Sequence, residues 1–216
     1  MSESTQSTAV GRFIVLDGVD GCGKSTQAKR LVEALAAQAR EVDGGAAPLH
    51  LREPGSTPVG ERIREILLDG ELEIGAGTET LLFCAARRQT LSELVAPALA
   101  AGRHVVCERF HPSTFAYQAV AGDLGEDEVL GLLADWAGDP APDLVILIDT
   151  PPAVAAGRRP LDGDRIEAKG LAFQERVATG YRRYAERVPG TVVVDGAASP
   201  EDVAARILRE VQLVGA

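Results

Sequence analysis

The chain has 216 residues, 45% of them hydrophobic, and a formal net charge of −10 at pH 7. This length suits one α/β domain, which would bury roughly 70% of the surface of the unfolded chain. The acidic balance argues against nonspecific binding to nucleic acid, because counterion release needs a basic surface. No apolar run is long enough to span a membrane, so neither nucleic acid nor a membrane is an expected partner.

The amino-terminal residues and the cysteines indicate the extent of the domain and its compartment. Residues 1–10 are rich in Ser and Thr and lack periodicity, which predicts a disordered tail before a single domain at residues 11–216. The cysteines lack the spacing of a zinc site or a disulfide framework, so they are expected to be buried and unpaired in the cytoplasm. They are Cys22, Cys84 and Cys107.

A phosphate-binding loop follows the first predicted strand. A β-branched apolar run predicts a buried strand at Phe13–Asp17, and helical spacing of apolar residues predicts a helix over Thr26–Ala39. The residues between them match G-x-x-x-x-G-K-[ST], whose backbone N–H groups and following helix bind polyphosphate. Lys24 would reach the outer phosphates, and Ser25 would supply a hydroxyl ligand to Mg²⁺. A glycine-rich turn without a ligand is the alternative. The predicted ATP-binding residues are Gly18, Val19, Asp20, Gly21, Cys22, Gly23, Lys24, Ser25 and Thr26.

Strand-like runs and helical patterns alternate along the rest of the chain, which predicts a parallel sheet with helices on both faces. Further strands are expected at Leu49–Arg52, His104–Glu108, Leu144–Asp149 and Thr191–Asp195. Helices are expected near Val59–Leu68, Thr78–Ala100 with a kink at Pro97, Glu126–Trp136, Pro152–Ala156, Glu167–Arg187 and Pro200–Val214. Ligands of such sheets bind beyond the carboxyl ends of the strands. Charged residues are expected to converge there, at Asp17, Arg52, Glu53, Glu108, Arg109 and Asp149.

Several ordered motifs resemble the thymidylate kinase family. Besides the phosphate loop, they are Arg52–Thr57, Leu82–Arg87, Glu108–Phe110 with Ser113–Gln118, and Asp164–Glu167. The resemblance extends from about residue 13 to residue 214. It implies a P-loop NTPase-like α/β fold with a five-stranded parallel sheet and a short lid. It also implies a homodimer that uses ATP with Mg²⁺ as the phosphoryl donor.

A pair of residues one helical turn apart is the candidate base-binding site. The Phe83 ring can stack on a pyrimidine, and the Arg87 guanidinium can donate to a base carbonyl. Spacing alone favours a core phenylalanine and a solvated arginine, and the family pattern reverses that preference. The resemblance also implies that Thr114 contacts the base edge and that the bulky Tyr117 disfavours a 2′-hydroxyl. Gln118 either joins this subsite or supports the helix.

The candidate phosphate and metal residues follow predicted strands. Arg109 and Arg52 can donate forked hydrogen bonds to the acceptor phosphate, with structural salt bridges as the alternative. The resemblance implies that Asp20 holds a sugar hydroxyl or a metal-bound water, and an Asx turn is the alternative. Glu108 stands where the family commonly carries Asp, and it would act on Mg²⁺ through water or pair with an arginine. Ser56 stands in place of a glycine and is expected to change that turn.

Basic residues before the Asp164–Glu167 motif suggest where transition-state charge comes from. Gly21 occupies a position that carries arginine in one thymidylate kinase subgroup, so the resemblance points to Arg158 and Arg159 in the lid. These two residues, Lys24, Arg109 and Glu108 form the predicted catalytic set. An adenine-side clamp and a mobile surface segment are the alternatives for the lid arginines. Arg165 either organises the closed lid or contacts the acceptor.

The expected activity is ATP-dependent phosphorylation of thymidine monophosphate (dTMP) to the diphosphate (dTDP). A kinase for another monophosphate, such as uridylate or deoxyuridylate, is the nearest alternative. A nucleotide switch that hydrolyses ATP slowly is the alternative from a different class. Production of ADP that depends on dTMP would separate these hypotheses.

Overall fold

The computed structural model describes residues 11–41, 45–158 and 170–214. These residues include one parallel sheet, which confirms the predicted five-stranded α/β fold. Its strands are β1 (Phe13–Asp17), β2 (Leu49–Arg52), β3 (Val105–Glu108), β4 (Leu144–Asp149) and β5 (Thr191–Asp195). They lie in the order β2-β3-β1-β4-β5, so the strand that precedes the phosphate loop is central. Only β3 differs from its predicted range, because it begins one residue later, at Val105.

Helices follow most of the strands, as the alternating pattern predicted. They are α1 (Lys24–Glu41), α2 (Pro58–Leu68), α3 (Ala76–Thr90), α4 (Ala96–Ala100), α5 (His111–Thr114), α6 (Glu126–Ala137), α7 (Pro152–Ala156), α8 (Gly170–Arg187) and α9 (Pro200–Leu213). The predicted start of the eighth helix, at Glu167, lies outside the described residues. So do the predicted tail and most of the predicted lid, including Arg159 and Arg165.

Two π-helical segments account for the main differences from the predicted helices. The predicted helix Thr78–Ala100 is divided by a π-helical segment at Leu91–Val95, and Pro97 lies in the first turn of α4. Proline has no N–H to donate to the preceding turn, and the widened backbone lies just before the residue at which the kink was predicted. The second segment, Phe115–Val120, extends α5. No helix was predicted there, although Pro112 occupies an early helix position that proline favours.

The central strand is buried on both faces because helices cover both sides of the sheet. Ile14 and Leu16 pack into one core, whereas Phe13 and Val15 pack into the other. Alternate side chains of a strand point to opposite faces, so a strand between two cores is apolar at every position. This explains the continuous apolar run before the phosphate loop.

The register of the strands brings their carboxyl ends together. Glu108 of β3 lies level with Leu16 of β1 and with Arg52 of β2. The predicted convergence therefore holds for these strand ends. Asp149 also lies at the end of β4, but it forms an ion pair with Arg182 of α8 and does not line the cleft between the other strand ends.

The cysteines at 22, 84 and 107 are buried and form no disulfide, as predicted. In the described ranges, no helix is both long enough and apolar enough to cross a membrane.

We predict opposite effects on stability for two glycine-to-alanine changes. A Cβ at Gly180 in α8 would lie 2.7 Å from Cα of Ala116, so Gly180→Ala should lower the free energy of unfolding by about 1–3 kcal/mol. At Gly131 in α6 no atom lies within 4 Å of the added Cβ. Gly131→Ala should therefore raise stability by about 0.4–1 kcal/mol. Urea unfolding measures both values. Equal losses in the two variants would contradict this close packing of α8.

Candidate active site

A cleft of about 780 Å³ opens at the carboxyl ends of β1, β2 and β3. One side is the phosphate loop, and the opposite side consists of α3 and the segment after β3. The predicted site residues that line it are Asp20, Gly21, Cys22, Gly23, Lys24, Ser25, Thr26, Arg52, Phe83, Arg87, Glu108, Arg109, Thr114, Tyr117, Gln118 and Arg158. The structure thus brings together residues from distant parts of the chain.

The phosphate loop is a tight backbone turn that encloses the Lys24 side chain. Gly18 has a φ of 147°, and a Cβ there would lie 2.6 Å from the carbonyl oxygen of Ile148, so only glycine fits. Lys24 Nζ donates to the carbonyl oxygens of Gly18 and Val19, each at 3.3 Å. The ammonium is therefore held at the start of α1 by the loop itself.

The buried carboxylate of Asp17 joins the phosphate loop to the segment after β3. Its Oδ1 accepts from Gly18 N at 2.8 Å and from the Tyr181 hydroxyl at 2.9 Å. Its Oδ2 accepts from the backbone N–H groups of Phe110 and Ser113, each at 3.0 Å. Burial and the Asp17 charge raise the pKa of Tyr181 well above its usual value, so Tyr181 keeps its donor proton. The sequence analysis placed Asp17 only at a strand end and missed this role.

Arg109, Asp20 and Tyr117 form a connected polar group beside the loop. Arg109 donates through Nη2 to Asp20 Oδ1 and through Nη1 to Ser113 Oγ at 3.1 Å. The Tyr117 hydroxyl donates to Asp20 Oδ2 at 2.9 Å. Burial alone would raise the pKa of Asp20, but the Arg109 and Lys24 charges and the Tyr117 hydrogen bond hold it well below its usual range. Asp20 is therefore an ionised carboxylate that holds two candidate acceptor-binding residues.

Arg109 adopts a backbone conformation that side chains rarely take. Its φ is 66°, in the left-handed region, which costs roughly 1–2 kcal/mol for a residue other than glycine. Its backbone N–H donates to the carbonyl oxygen of Leu16 at 3.0 Å, and its neighbour Phe110 is held by Asp17. These contacts fix the turn that directs the guanidinium toward the phosphate loop.

Arg87 is buried and lies at the base of the cleft, contrary to the solvated arginine that spacing alone favoured. Its Nε donates to Glu53 Oε2 at 2.6 Å, and its Nη2 donates to Thr114 Oγ1 at 3.2 Å. The guanidinium carbon lies 4.8 Å from the centre of the Phe110 ring. Phe83, one turn earlier in α3, is half-buried and lines the same cleft. The structure therefore places the predicted base-binding residues side by side.

Glu53 is the buried partner that holds Arg87. Burial raises the pKa of Glu53 from 4.5 to about 7, although the Arg87 charge opposes that shift. Glu53 Oε1 and Arg87 Nη1 have no hydrogen-bond partner within the described part of the chain. The pair therefore holds one free acceptor and one free donor beneath the cleft.

Two other predicted substrate residues are engaged with protein groups. Gln118 Nε2 donates to Glu79 Oε2 of α3 at 3.1 Å, which agrees with the supporting role considered for it. Arg52 Nη2 lies 3.6 Å from Glu61 Oε1, and its side chain is 56% exposed. The salt bridge named as its alternative is thus present, while the side chain still lines the cleft.

Ser25 and Glu108 supply the oxygen atoms that suit Mg²⁺. Ser25 Oγ donates to Glu108 Oε2, and His50 Nε2 lies 2.9 Å from Glu108 Oε1. Across the ranges that the structure covers, no group of three or more His, Cys, Asp or Glu side chains forms a metal site alone. Mg²⁺ takes one or two protein ligands and completes its shell with water and phosphate oxygens. The donor set at the start of α1 fits this requirement.

Arg158 lies on the side of the cleft formed after β5. Its Nη1 donates to the carbonyl oxygen of Gly196 at 2.9 Å. Ala198, Pro200 and Val203 line the cleft nearby and provide an apolar wall. In this structure the Arg158 guanidinium is thus held by the loop after β5.

The fold and the cleft define the class of protein. A phosphate loop at the end of a central strand, with Arg52, Arg87 and Arg109 lining the same cleft, is the arrangement of a P-loop phosphotransferase whose acceptor is anionic. Sequence comparisons identify the family. The family profile described as Thymidylate kinase matches residues 16–207.

Similar proteins named as thymidylate kinases agree with the family profile. A thymidylate kinase of Rhizorhabdus wittichii is 40% identical over 204 residues, which cover 92% of this chain and 95% of the relative. That of Gluconobacter oxydans is 42% identical over 207 residues, 93% and 94% of the two chains. That of Bordetella pertussis is 41% identical over 208 residues, 95% and 96%. The chain therefore belongs to the thymidylate kinase family, as its motifs indicated.

We predict that Glu53→Gln removes one source of pH dependence from stability. The pKa of Glu53 is raised from 4.5 to about 7 in the folded chain, so the folded state binds this proton more tightly than the unfolded state. Its stabilising contribution is complete below pH 4.5 and is lost as the pH rises through about 7. Between about pH 5 and pH 8, the wild-type free energy of unfolding should fall relative to Glu53→Gln by at most about 3 kcal/mol.

Urea unfolding of both chains at each pH measures this change. The informative quantity is the slope of the difference in unfolding free energy against pH, because loss of the Arg87 partner adds a constant offset. A difference that stays constant over the range would contradict the raised pKa of Glu53.

Proposed function

We propose that the chain transfers the γ-phosphoryl group of ATP to dTMP, which yields ADP and dTDP. The observation that carries this proposal is one cleft that combines a phosphate loop with a buried guanidinium and an aromatic ring. Membership of the thymidylate kinase family supports the same acceptor. A switch protein that only hydrolyses ATP has no need for the second group of residues.

Base selection rests on Arg87, Thr114 and Phe83. A guanidinium that Glu53 and Thr114 hold in place has further N–H groups, and a pyrimidine carbonyl can accept from one of them. The Thr114 hydroxyl accepts from Arg87, so its own proton is free to be donated. Phe83 supplies the ring for stacking. These groups recognise a flat base with carbonyl acceptors on its edge.

Sugar selection rests on Tyr117, whose hydroxyl is tied to Asp20. Burial raises the pKa of Tyr117, so it stays a neutral donor. Its ring also lies 5.6 Å from the Arg109 guanidinium carbon. A ring held at both its hydroxyl and its face cannot swing aside easily. A 2′-hydroxyl directed at the Tyr117 ring would clash with it and would lose its hydrogen bonds to water. The site therefore favours a deoxyribose.

Phosphoryl transfer needs positioned positive charge. Arg109 would bind the acceptor phosphate, and Lys24 would bind the outer phosphates of ATP, so the two anions can approach. The bond from the acceptor oxygen to the γ-phosphorus forms as the bond to the ADP oxygen breaks, and ADP leaves with that electron pair. Mg²⁺, held through Ser25 and Glu108, would neutralise charge on the donor phosphates. No covalent enzyme intermediate is required.

The homodimer and the cytoplasmic location stay predictions. Exposed apolar side chains on the adjacent helices α2 and α3 support a contact between two copies. Val59 is 49% exposed, Ile66 43% and Leu81 59%.

We expect ADP production to depend on dTMP and to equal dTDP production. Among dTMP, deoxyuridylate, uridylate and the purine monophosphates, dTMP should give the highest kcat/KM, because the cleft selects both base and sugar.

Lys24→Met should fold normally and lose roughly 10²- to 10³-fold in turnover, since it removes a charge that stabilises the transferring phosphoryl group. Coupled ADP assays and chromatography of the products measure these quantities. ADP release that is independent of any acceptor would favour the switch hypothesis.

Arg158→Ala distinguishes two roles for the first lid arginine. Because Arg158 is bound to the loop after β5, we propose that it positions the donor nucleoside rather than the transferring phosphoryl group. The variant should raise the KM for ATP about 10-fold and change turnover at saturating substrates much less. Single-turnover transfer at saturating ATP and dTMP is the direct measurement. A loss there on the order of 10³-fold would instead identify Arg158 as the catalytic arginine.

A further inference from the structure

Glu108 is held from two sides by groups of different elements. Its Oε2 accepts from Ser25 Oγ at the start of α1, and its Oε1 lies 2.9 Å from His50 Nε2 of β2. The Glu108 side chain is only 12% exposed, and that of His50 is 30% exposed. The Glu108 carboxylate, which lines the cleft, therefore lies between the phosphate loop and the His50 imidazole.

The strand register explains why His50 reaches Glu108. Arg52 of β2 lies level with Glu108 of β3, and His50 is two residues earlier on the same strand. Side chains two apart point to the same face, so His50 and Glu108 are diagonal neighbours on that face. An aspartate carboxyl at this position would end about one carbon–carbon bond, roughly 1.5 Å, closer to its backbone. The longer glutamate side chain thus makes the imidazole contact possible.

The hydrogen-bonding roles in this chain follow from the chemistry of its groups. An ionised carboxylate only accepts hydrogen bonds, so His50 must carry its proton on Nε2 and donate it to Oε1. This leaves Oε2 directed at the Ser25 hydroxyl. A glutamate has one more rotatable bond than an aspartate, and the imidazole contact restricts it. His50 therefore fixes the rotation of the Glu108 carboxylate, so that one oxygen faces the phosphate loop.

We propose that His50 is a positioning residue of the Mg²⁺ site, acting through Glu108 without contacting substrate. This inference rests on the proposed function, because it takes Ser25 and Glu108 as the side chains that hold Mg²⁺. Partners that orient metal-binding side chains commonly contribute 10- to 100-fold in metal affinity. A contact that acts through a water-bridged carboxylate should lie at the lower end of that range.

The test compares His50→Leu with His50→Gln. Leucine is similar in size to histidine but has no hydrogen-bond donor. Glutamine offers an amide N–H near the position of the histidine Nε2. Electron paramagnetic resonance of Mn²⁺, titrated into the protein with saturating ADP, measures metal affinity without turnover. We expect His50→Leu to weaken Mn²⁺ binding about 10-fold and His50→Gln to retain most of the wild-type affinity.

Kinetics add a second readout of the same proposal. His50→Leu should need about 10-fold more Mg²⁺ for half-maximal rate. Its turnover at saturating Mg²⁺ and its KM for dTMP should stay near wild type. Unchanged thermal melting shows that the variant is folded.

A double-mutant cycle decides whether His50 acts through Glu108. In a Glu108→Gln background, His50→Leu should have no further effect on Mn²⁺ affinity, because the carboxylate that it orients is gone. An equal loss in both backgrounds, equal behaviour of the Leu and Gln variants, or wild-type Mn²⁺ affinity in His50→Leu would each overturn the proposal. The titration needs only nucleotide binding, so a failure to phosphorylate dTMP would contradict the proposed function and leave this result readable.

Discussion

The whole site depends on one buried carboxylate at the end of the central strand. Asp17 accepts hydrogen bonds from Gly18 at the start of the phosphate loop and from Phe110 and Ser113 after β3. Hydrogen bonds to a charged group contribute about 1.5–3 kcal/mol each, and a buried charge without them is strongly destabilising. The phosphate loop and the segment after β3 must therefore both donate their hydrogen bonds to Asp17 in the folded chain. As a result, the donor and acceptor sides of the cleft are fixed relative to each other before any nucleotide binds.

This arrangement explains how an acidic protein can bind two anions. The net charge is −10, yet Lys24 and Arg109 face the cleft because Asp20 lies between them and pairs with both. Because the Asp20 carboxylate is ionised, it holds Lys24 and Arg109 in place and offsets the repulsion between their positive charges. Arriving phosphates meet positive groups that are already oriented, so little reorganisation is needed during transfer. The strained backbone of Arg109 is maintained by the same contacts.

Local sequence patterns predicted the fold well. The site was predicted less completely, because several of its contacts join residues that are far apart in the sequence. Strand runs and the phosphate loop are encoded by consecutive residues, so their positions could be read directly. The burial of Arg87 could not, because its partner Glu53 lies 34 residues away and only the folded chain brings them together. His50 belongs to no recognisable motif. It lies beside Glu108 only because of the register of β2 on β3. The helical segment after Arg109 was missed because it is short and mostly π-helical.

The two departures from the family pattern show how such pairs absorb a change of sequence. Ser56 stands in place of a glycine yet has a φ of 68°, the left-handed conformation that glycine adopts freely. Its hydroxyl donates to the carbonyl oxygen of Arg52 and accepts from that residue's N–H, each at 3.0 Å, which offsets the strain. Glu108 stands in place of aspartate, and its extra length is taken up by His50 and Ser25. In both cases a neighbour on the adjoining strand or turn contacts the larger side chain and holds it in place. A double change at Glu108 and His50 should therefore cost less than the sum of its single changes, which is the signature of residues that act as one unit.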